Sequence, residues 1–284
     1  MMYLVLAILT STAIIVTFRY FSQFKISTLQ AITVNYLTAA SFGYLSAGEN
    51  VNFTKIPSES WFFISLAVGV TLIVAFNLYA LSARHAGMAV TAITGRMSVV
   101  IPVLFGLLLF GDSTGWLRIT GIVVALVALF LTSKKKQADR INARYFYLPL
   151  FLFLAFGAND TLLKVAEHFY ITDDFTIFLA TAFLAALVLG ILVLAIKWKP
   201  GEEKFHIKNI VAGIILGLFN WYSTLYFLKG INIFEVSVFI PAFNIGVVVL
   251  ASISGFWLFK EKLSGTNYFG IFLAIIAILF LASG

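Results

Sequence analysis

Ionisable side chains are rare within the apolar stretches of this sequence, and Arg96 is one of them. It follows Gly95 in the segment TAITGRMSVVIP. A guanidinium in apolar surroundings needs an anionic partner, backbone carbonyls or water. One interpretation is a clamp for the carboxylate or phosphate of a substrate, and the other is a side chain that reaches a membrane interface. We favour the clamp, because Gly95 leaves room for a ligand.

Asparagine recurs in two matching segments. FNLYALSARHAG at 76–87 and FNWYSTLYFLKG at 219–230 share Phe, Asn, Tyr and Gly at the same spacing. An amide offers donors and acceptors to a polar substrate, but Asn also forms hydrogen bonds between membrane helices. Both interpretations stay open for Asn77 and Asn220. Asn244, deep in a later apolar stretch, is a third candidate for substrate binding.

Two tyrosines and two glycines complete the repeated pattern. Tyr79 and Tyr222 lie roughly 200° around the helix from the asparagines, given ~3.6 residues per turn, so they are predicted to pack rather than to bind. Gly87 and Gly230 are predicted to end their helices and to open the turn into the next helix.

Acidic residues provide candidates for ion coupling. Asp160 and Lys164 are spaced to share one helical face, as a structural ion pair or a proton relay, and we favour the structural pair. Glu235 could carry a coupling proton, but an acid at a helix N-terminus also meets the helix dipole, and we favour that explanation. Asp112 and Glu261 precede the last helix of each half, where capping explains them.

Prolines and glycines mark points of bending and close packing. Pro102 and Pro241 lie within apolar stretches, where proline removes a backbone hydrogen bond and kinks a helix. We predict these two residues as the hinges of a conformational change, with unequal bends because their depths differ. Gly213 and Gly217 form a G-x-x-x-G face, which predicts a close approach of two helices.

Composition decides which solvent surrounds these residues. The 284 residues are 61% hydrophobic and 11% charged, with a mean hydropathy of +1.02. An average soluble domain is about 45–50% apolar and about 25% charged. The composition therefore predicts an all-α integral membrane protein that contacts the lipid bilayer. The net charge of +7 is distributed between apolar stretches, which argues against nucleic acid as a partner, and the absence of cysteine excludes thiol catalysis.

The apolar stretches predict ten transmembrane helices, each about 20 residues long. They are 2–22, 28–48, 60–83, 88–110, 115–133, 145–168, 173–196, 208–229, 233–258 and 265–283. Matching segments divide them into a first five-helix repeat at 1–133, a basic linker at 134–144 and a second five-helix repeat at 145–284. Because five is odd, the second repeat enters the membrane from the opposite side, so the repeats are inverted, as in many secondary transporters.

The distribution of basic residues predicts the orientation. Most of the 19 Lys and Arg residues lie in the odd-numbered connections, including the 134–144 linker. The positive-inside rule therefore places this linker in the cytoplasm and both termini outside, in a multi-pass protein of the plasma (inner) membrane.

The repeat motifs resemble those of EamA-type transporters of the drug/metabolite transporter superfamily. Tyr79-Ala80-Leu81 is similar to the Tyr-x-Ala-Leu stretch of that family, and Phe110-Gly111-Asp112 to its Leu-Gly-Glu stretch. The second half departs further, with Tyr222 to Leu225 and Phe259-Lys260-Glu261 at these places. The resemblance implies that helices 1–4 and 6–9 surround a central cavity and that the protein exports or exchanges small metabolites.

The sequence favours transport over other functions. The leading hypothesis is a secondary transporter for a small polar metabolite, with an amino acid or related carboxylate favoured by Arg96. A proton or a counter-substrate is the open choice for coupling. The alternatives are a multidrug or cation exporter and, behind it, a non-transporting membrane scaffold. An enzyme is not expected, because no clustered catalytic set occurs, and neither a cofactor nor a metal site is predicted.

Overall fold

The protein is all-helical throughout the residues that the computed structural model describes, and no strand occurs among them. The described residues are 1–48, 51–85, 88–112, 115–133, 145, 147–171, 175–197, 206–260 and 264–283. The α-helices are α1 Met2–Gln23, α2 Thr28–Ala47, α3 Phe62–His85, α4 Met88–Met97, α5 Val100–Leu109, α6 Trp116–Ser133, α7 Tyr147–Phe169, α8 Phe175–Lys197, α9 Ile207–Ile233, α10 Val236–Phe259 and α11 Gly265–Ser283. A short 3-10 helix, Ile56–Ser58, precedes α3.

Several helices have the length and composition of membrane spans. Among the described residues, six helices are long and apolar enough to cross a membrane: Met2–Phe21, Phe62–Tyr79, Tyr147–Phe169, Phe175–Ile196, Ile207–Ile233 and Val236–Phe259. The shorter apolar helical stretches are Thr94–Leu109, Trp116–Leu131 and Gly265–Leu281. These helices fit a membrane protein. Each predicted apolar stretch is largely helical where the structure describes it, whereas the number of crossings and the inverted repeat stay predictions.

The distribution of side chains is the reverse of that in a soluble protein. Leu108, Ile196 and Trp257 are 79%, 83% and 76% exposed, whereas Asn35 and Asn209 are buried. Large exposed apolar surfaces are unfavourable in water and favourable in hydrocarbon. In hydrocarbon the backbone must satisfy its own hydrogen bonds, and this requirement explains why the apolar stretches are helical.

The predicted span at 88–110 is divided into two helices. α4 ends at Met97, and a turn at Ser98 and Val99 precedes α5. Pro102 explains the interruption, because it has no N–H for the Ser98 carbonyl and its ring would collide with that carbonyl in a continuous helix. The N–H of Ile101 donates to the Ser98 carbonyl instead, at 3.0 Å. Pro102 therefore lies in the first turn of α5 and interrupts the predicted span, as expected of a proline that removes a backbone hydrogen bond.

Pro241 behaves differently from Pro102. It is buried inside α10, which continues from Val236 to Phe259. The two prolines therefore affect their helices differently, as their different positions along the apolar stretches predicted. Their role as hinges of a conformational change stays a prediction.

The described residues form two compact units. The first unit comprises Met1–Ile73 and Val165–Lys229, and the second unit comprises Val74–Lys164 and Gly230–Gly284. Helices α3, α7 and α9 each have one part in the first unit and the other part in the second unit. In the first unit α2 packs along α8, and in the second unit α6 packs along α11 while α10 contacts α5, α6 and α11. Each unit draws on both predicted five-helix repeats, whose boundary is defined by likeness of sequence and stays a prediction.

Glycine permits close helix packing in the first unit. A Cβ at Gly213 would lie 2.5 Å from the Cβ of Val34, and one at Gly217 would lie 2.6 Å from the Cβ of Thr38. No side chain fits at these distances, so the backbone of α9 lies directly against α2. The predicted G-x-x-x-G contact is confirmed.

Gly230 has a different role from the one that its repeated position suggested. It lies inside α9, which continues to Ile233, so the prediction that it ends the helix is wrong. A Cβ at Gly230 would overlap the ring of Phe239. The glycine therefore admits an aromatic ring of α10. Its counterpart Gly87 lies outside the described residues.

Candidate functional site

Arg96 lies in the last turn of α4, directly before the helix interruption. A cation is favoured there by the partial negative charge of a helix C-terminus. Its Nη1 donates a hydrogen bond to Oδ1 of Asn244 at 3.3 Å. Within the described part of the chain this is the hydrogen bond that Arg96 makes, and the side chain is half-buried. The other N–H groups of the guanidinium are therefore available to an acceptor on a ligand.

Asn244 is buried in α10 and holds the guanidinium in place. Its Nδ2 donates to the carbonyl of Ile240 at 3.1 Å, one turn earlier in the same helix. This bond fixes the orientation of the amide, so that its oxygen points to Arg96. Two of the four predicted substrate-binding residues, Arg96 and Asn244, are thus brought together within the second unit.

Asp160 is an ionisable residue in the same part of the second unit. It is half-buried in α7, one turn along from Phe156, which lies beside Gly95. Among the described residues it forms no direct salt bridge with Arg96.

Lys164 has partners other than the one predicted from its spacing. Its Nζ donates to the carbonyl of Ile231 at 3.0 Å and lies 5.8 Å from the ring centre of Phe110. Among the described residues no Asp160–Lys164 salt bridge occurs, and Lys164 binds a backbone carbonyl of α9 instead. Neighbouring helices provide stronger partners than the residue one turn along.

Aromatic side chains border the charged residues. The rings of Tyr79 and Phe156 meet edge to face, with centroids 6.4 Å apart. A Cβ at Gly95 would contact Phe156 at 3.4 Å. Tyr79 therefore packs, as expected, on a ring that lies beside Gly95, the neighbour of Arg96.

The two repeated asparagines belong to different units. Asn77 is half-buried in the part of α3 that joins the second unit. Asn220 lies in the first unit, where its Nδ2 donates to Oδ1 of Asn35 at 3.2 Å. Asn220 thus makes the interhelical hydrogen bond that was one of its two interpretations. Tyr222, two residues further along α9, packs on Phe42, with ring centroids 5.6 Å apart.

Glu235 belongs to an electrostatic cluster at the start of α10. It is the N-cap residue but makes no side-chain capping bond, and it pairs with Arg118. The capping bond comes from Asp112, whose Oδ2 accepts the N–H of Ser237 at 2.7 Å. Asp112 therefore caps α10 rather than the helix that follows it in sequence. The structural interpretation of Glu235 is supported by these contacts.

Two residues with functional contacts were missed from the sequence. Asn35 is a polar residue inside an apolar stretch, so the criterion applied to Asn220 would have selected it. Arg118 was counted as a membrane-flanking charge, and no local signal connects it with Glu235. The broken helix beside Arg96 could have been found, because Pro102 excludes a bond to the Ser98 carbonyl.

The residues around Arg96 suit recognition better than catalysis. We name Arg96, Asp160, Asn244, Tyr79 and Phe156 the Arg96 cluster. It combines a cation, an anion, a fixed amide and an aromatic wall in one unit. Among the described residues no group of three His, Asp or Glu side chains could hold a metal ion. The arrangement can bind a small polar molecule through complementary charges.

Comparison with other proteins supports the fold and leaves the activity open. No protein-family model matches the chain. An uncharacterized protein of Haemophilus influenzae is 27% identical, over 97% of this chain and 95% of that protein. A protein of known crystal structure shares 14% identity, with a TM-score of 0.78 over 98% of this chain and 94% of that one. This chain therefore resembles an experimentally observed fold along nearly its whole length.

Proposed function

We propose that the protein is a secondary transporter that moves a small polar metabolite across the membrane by alternating access, as an exporter or an exchanger. The favoured substrates are amino acids and related carboxylates. The observation that carries this proposal is Arg96, a half-buried guanidinium oriented by Asn244 with N–H groups left for a ligand. A cation in apolar surroundings is costly and marks a functional site by default.

The broken helix beside Arg96 supports the same proposal. Substrate sites of secondary transporters commonly lie where a membrane helix is discontinuous, near the midplane between inverted repeats. Here the turn at Ser98 and Val99 follows Arg96 directly. The resemblance of the repeat motifs to EamA-type transporters, and ten crossings in two inverted five-helix repeats, are part of this proposal.

The proposed orientation has a direct test. We place the protein in the plasma (inner) membrane, with the 134–144 linker in the cytoplasm and both termini outside. The chain contains no cysteine, so Gln137→Cys introduces a single thiol into the linker. An impermeant thiol reagent should label this residue in inverted vesicles and leave it unlabelled in intact cells. Labelling in intact cells would reverse the orientation.

Ligand-dependent thermal stability tests the substrate class. A ligand that binds the folded protein raises its melting temperature. Purified protein in detergent is heated with neutral, zwitterionic, anionic and cationic metabolites, and Arg96→Ala is measured beside it. Carboxylate-bearing compounds should stabilise the parent and not the variant.

Two other results would replace the proposal. Stabilisation of both proteins by cations alone would favour a multidrug or cation exporter. If no labelled solute of any class equilibrated across liposomes that contain the protein, a membrane scaffold would be favoured.

Glu235 and Asp160 are the acidic residues to examine for proton coupling, and uptake driven by an imposed pH gradient separates that coupling from counter-substrate exchange.

A further inference from the structure

We propose that the beginning of α10 is a gate, which opens to water about Pro241 when the ion pair of Arg118 and Glu235 separates. We name residues 235–240 the α10 tip. The tip and the residues that hold it all belong to the second unit. The inference goes beyond the proposed function, because the opening can be measured without a substrate. In a transporter it would be the step that admits solutes at this end of the unit.

Charged side chains from outside α10 hold the tip closed. Arg118 of α6 pairs with Glu235, the residue directly before the helix. The Oδ2 atom of Asp112 accepts a hydrogen bond from the N–H of Ser237 at 2.7 Å. The side chains of Arg118 and Glu235 are 18% and 38% exposed, so water can replace either partner. Because partly exposed ion pairs contribute modestly to stability, this pair can act as a latch that is closed at rest and can still be opened.

Pro241 weakens the attachment of the tip to the rest of α10. It lies inside the helix and has no N–H for the carbonyl of Ser237, four residues earlier. The tip is therefore joined to the following turn by one backbone hydrogen bond fewer than in a regular helix. Sharp bends in helices concentrate at prolines. Pro241 thus provides a point about which the tip can swing while the remainder of α10 stays helical.

The closed position leaves one polar group of the tip unsatisfied. Ser237 is completely buried, and its Oγ makes no hydrogen bond within the part of the chain that the structure describes. A buried hydroxyl without a partner is unfavourable and occurs infrequently in folded proteins. Opening of the tip would let water reach this hydroxyl. The unsatisfied group therefore favours opening, and the contacts of Arg118 and Asp112 oppose it.

The neighbouring end of α9 is held separately from the tip. The Nζ of Lys164 donates to the carbonyl of Ile231 at 3.0 Å. This carbonyl lies in the last turn of α9, where carbonyls have no partner within the helix. The ring of Phe239 in the tip lies against Gly230, which has no side chain to obstruct it. The tip can therefore move along α9 while Lys164 keeps the end of α9 in place.

The reaction rate of a single buried thiol tests the gate. The chain contains no cysteine, so Ser237→Cys places one thiol in the tip. Val247→Cys is the reference, because it places one thiol further along α10. Both parent residues are 0% exposed. The rate of reaction with a membrane-impermeant maleimide is measured in lipid nanodiscs, where the reagent reaches both faces of the bilayer.

Separation of the latch should accelerate labelling of the tip. Glu235→Gln and Arg118→Gln should each raise the labelling rate of Ser237→Cys about tenfold, the effect of losing a hydrogen bond to a charged group. Arg118→Glu combined with Glu235→Arg should restore the slow rate, because the exchanged pair can form again. Pro241→Ala should slow the labelling below that of the parent, since alanine supplies the missing N–H.

The controls separate opening of the tip from general loosening. Glu59→Gln removes one negative charge at an exposed residue of the first unit and should leave the rate unchanged. The labelling rate of Val247→Cys should be the same in every background. Elution as a single species in size-exclusion chromatography establishes that each variant is folded.

The contrary results distinguish this inference from the proposed function. If Ser237→Cys reacted at the parental rate in both charge variants, the latch would be wrong. Equal acceleration of Ser237→Cys and Val247→Cys would replace the gate by loosening of the whole unit. An unaltered rate in Pro241→Ala would overturn the hinge. Each of these results leaves carboxylate transport standing, whereas accelerated labelling of the tip without uptake of any solute would overturn transport and keep the gate.

Discussion

The polar contacts of the two compact units differ in kind. In the first unit the described polar contacts join mainly neutral groups, as in the Asn220–Asn35 bond at 3.2 Å and the Asn209–Gln30 bond at 2.6 Å. In the second unit they involve charges, including Arg96 and the Arg118–Glu235 pair. A neutral pair that satisfies itself sets the register of two helices and requires no ligand. A half-buried charge with spare hydrogen-bonding capacity does require a partner, so under the proposed function the first set serves packing and the Arg96 cluster serves substrate recognition.

The largest expected effect is on Arg96. Arg96→Ala should reduce transport of a carboxylate substrate into liposomes about 100-fold, because losing one partner of a buried charge contact costs about 2–5 kcal/mol. Arg96→Lys should recover only part of the rate, since an ammonium lacks the planar fork of the guanidinium. The control Arg19→Ala removes an exposed arginine of the first unit and should transport normally. An unaltered rate in Arg96→Ala would remove the distinction between the units.

Close packing in the first unit predicts the next effect. Gly217→Val should lower the free energy of unfolding in detergent by about 1–3 kcal/mol, the usual effect of overpacking. Its side chain would overlap Thr38, whose Cβ would lie 2.6 Å from the new Cβ. The measurement is reversible unfolding followed by circular dichroism, with Gly265→Ala as the control because nothing lies near a Cβ at that residue. Equal stability of both variants would contradict the close contact of α9 with α2.

Removal of the tertiary cap of α10 should have a somewhat smaller effect. Asp112→Ala removes the carboxylate that accepts a 2.7 Å hydrogen bond from the N–H of Ser237. The variant should destabilise the protein by about 0.5–2 kcal/mol. Asp112→Asn keeps an acceptor and should retain most of the stability. If Asp112→Asn lowered the stability as much as Asp112→Ala, the negative charge of Asp112 rather than its hydrogen bond would be responsible for the stabilisation. In both variants, ligand affinity at the Arg96 cluster should change by no more than the loss of stability explains.

The smallest effect concerns the neutral pair of the first unit. A double-mutant cycle of Asn35→Ala and Asn220→Ala should give a coupling energy of about 0.6 kcal/mol, the average for hydrogen bonds inside membrane proteins. Substrate affinity should be the same in all four proteins. A loss of affinity in Asn220→Ala at unchanged stability would instead make Asn220 a substrate residue and weaken the division of roles.

Local features of the sequence were sufficient to predict most helices. Continuous apolar stretches of about 20 residues can satisfy their backbone only as helices in hydrocarbon, and each predicted stretch is largely helical where the structure describes it. Arg96 and Asn244 were selected for a related reason, since a polar group in apolar surroundings is costly. The same reasoning missed Asn35, because the repeated pattern directed the choice toward Asn77 and Asn220.

Contacts between helices were poorly predicted from spacing along one helix. Asp160 and Lys164 are placed to pair with each other, yet the Nζ of Lys164 donates to the carbonyl of Ile231 on another helix. A pair one turn apart on a helix contributes only about 0.2–0.5 kcal/mol. Residues on adjacent helices therefore decide the outcome, and their positions depend on packing that single-sequence patterns do not contain.

By itself the sequence determined that this chain is helical, apolar and supplied with a few polar groups inside its apolar stretches, because these properties depend on composition and on local hydrogen bonding. Only the tertiary structure decided which of those groups meet. It brought Arg96 to Asn244 and placed Asp112 at the start of α10 rather than α6. Those choices depend on the packing of side chains from distant parts of the chain, which the spacing of residues along one helix does not specify.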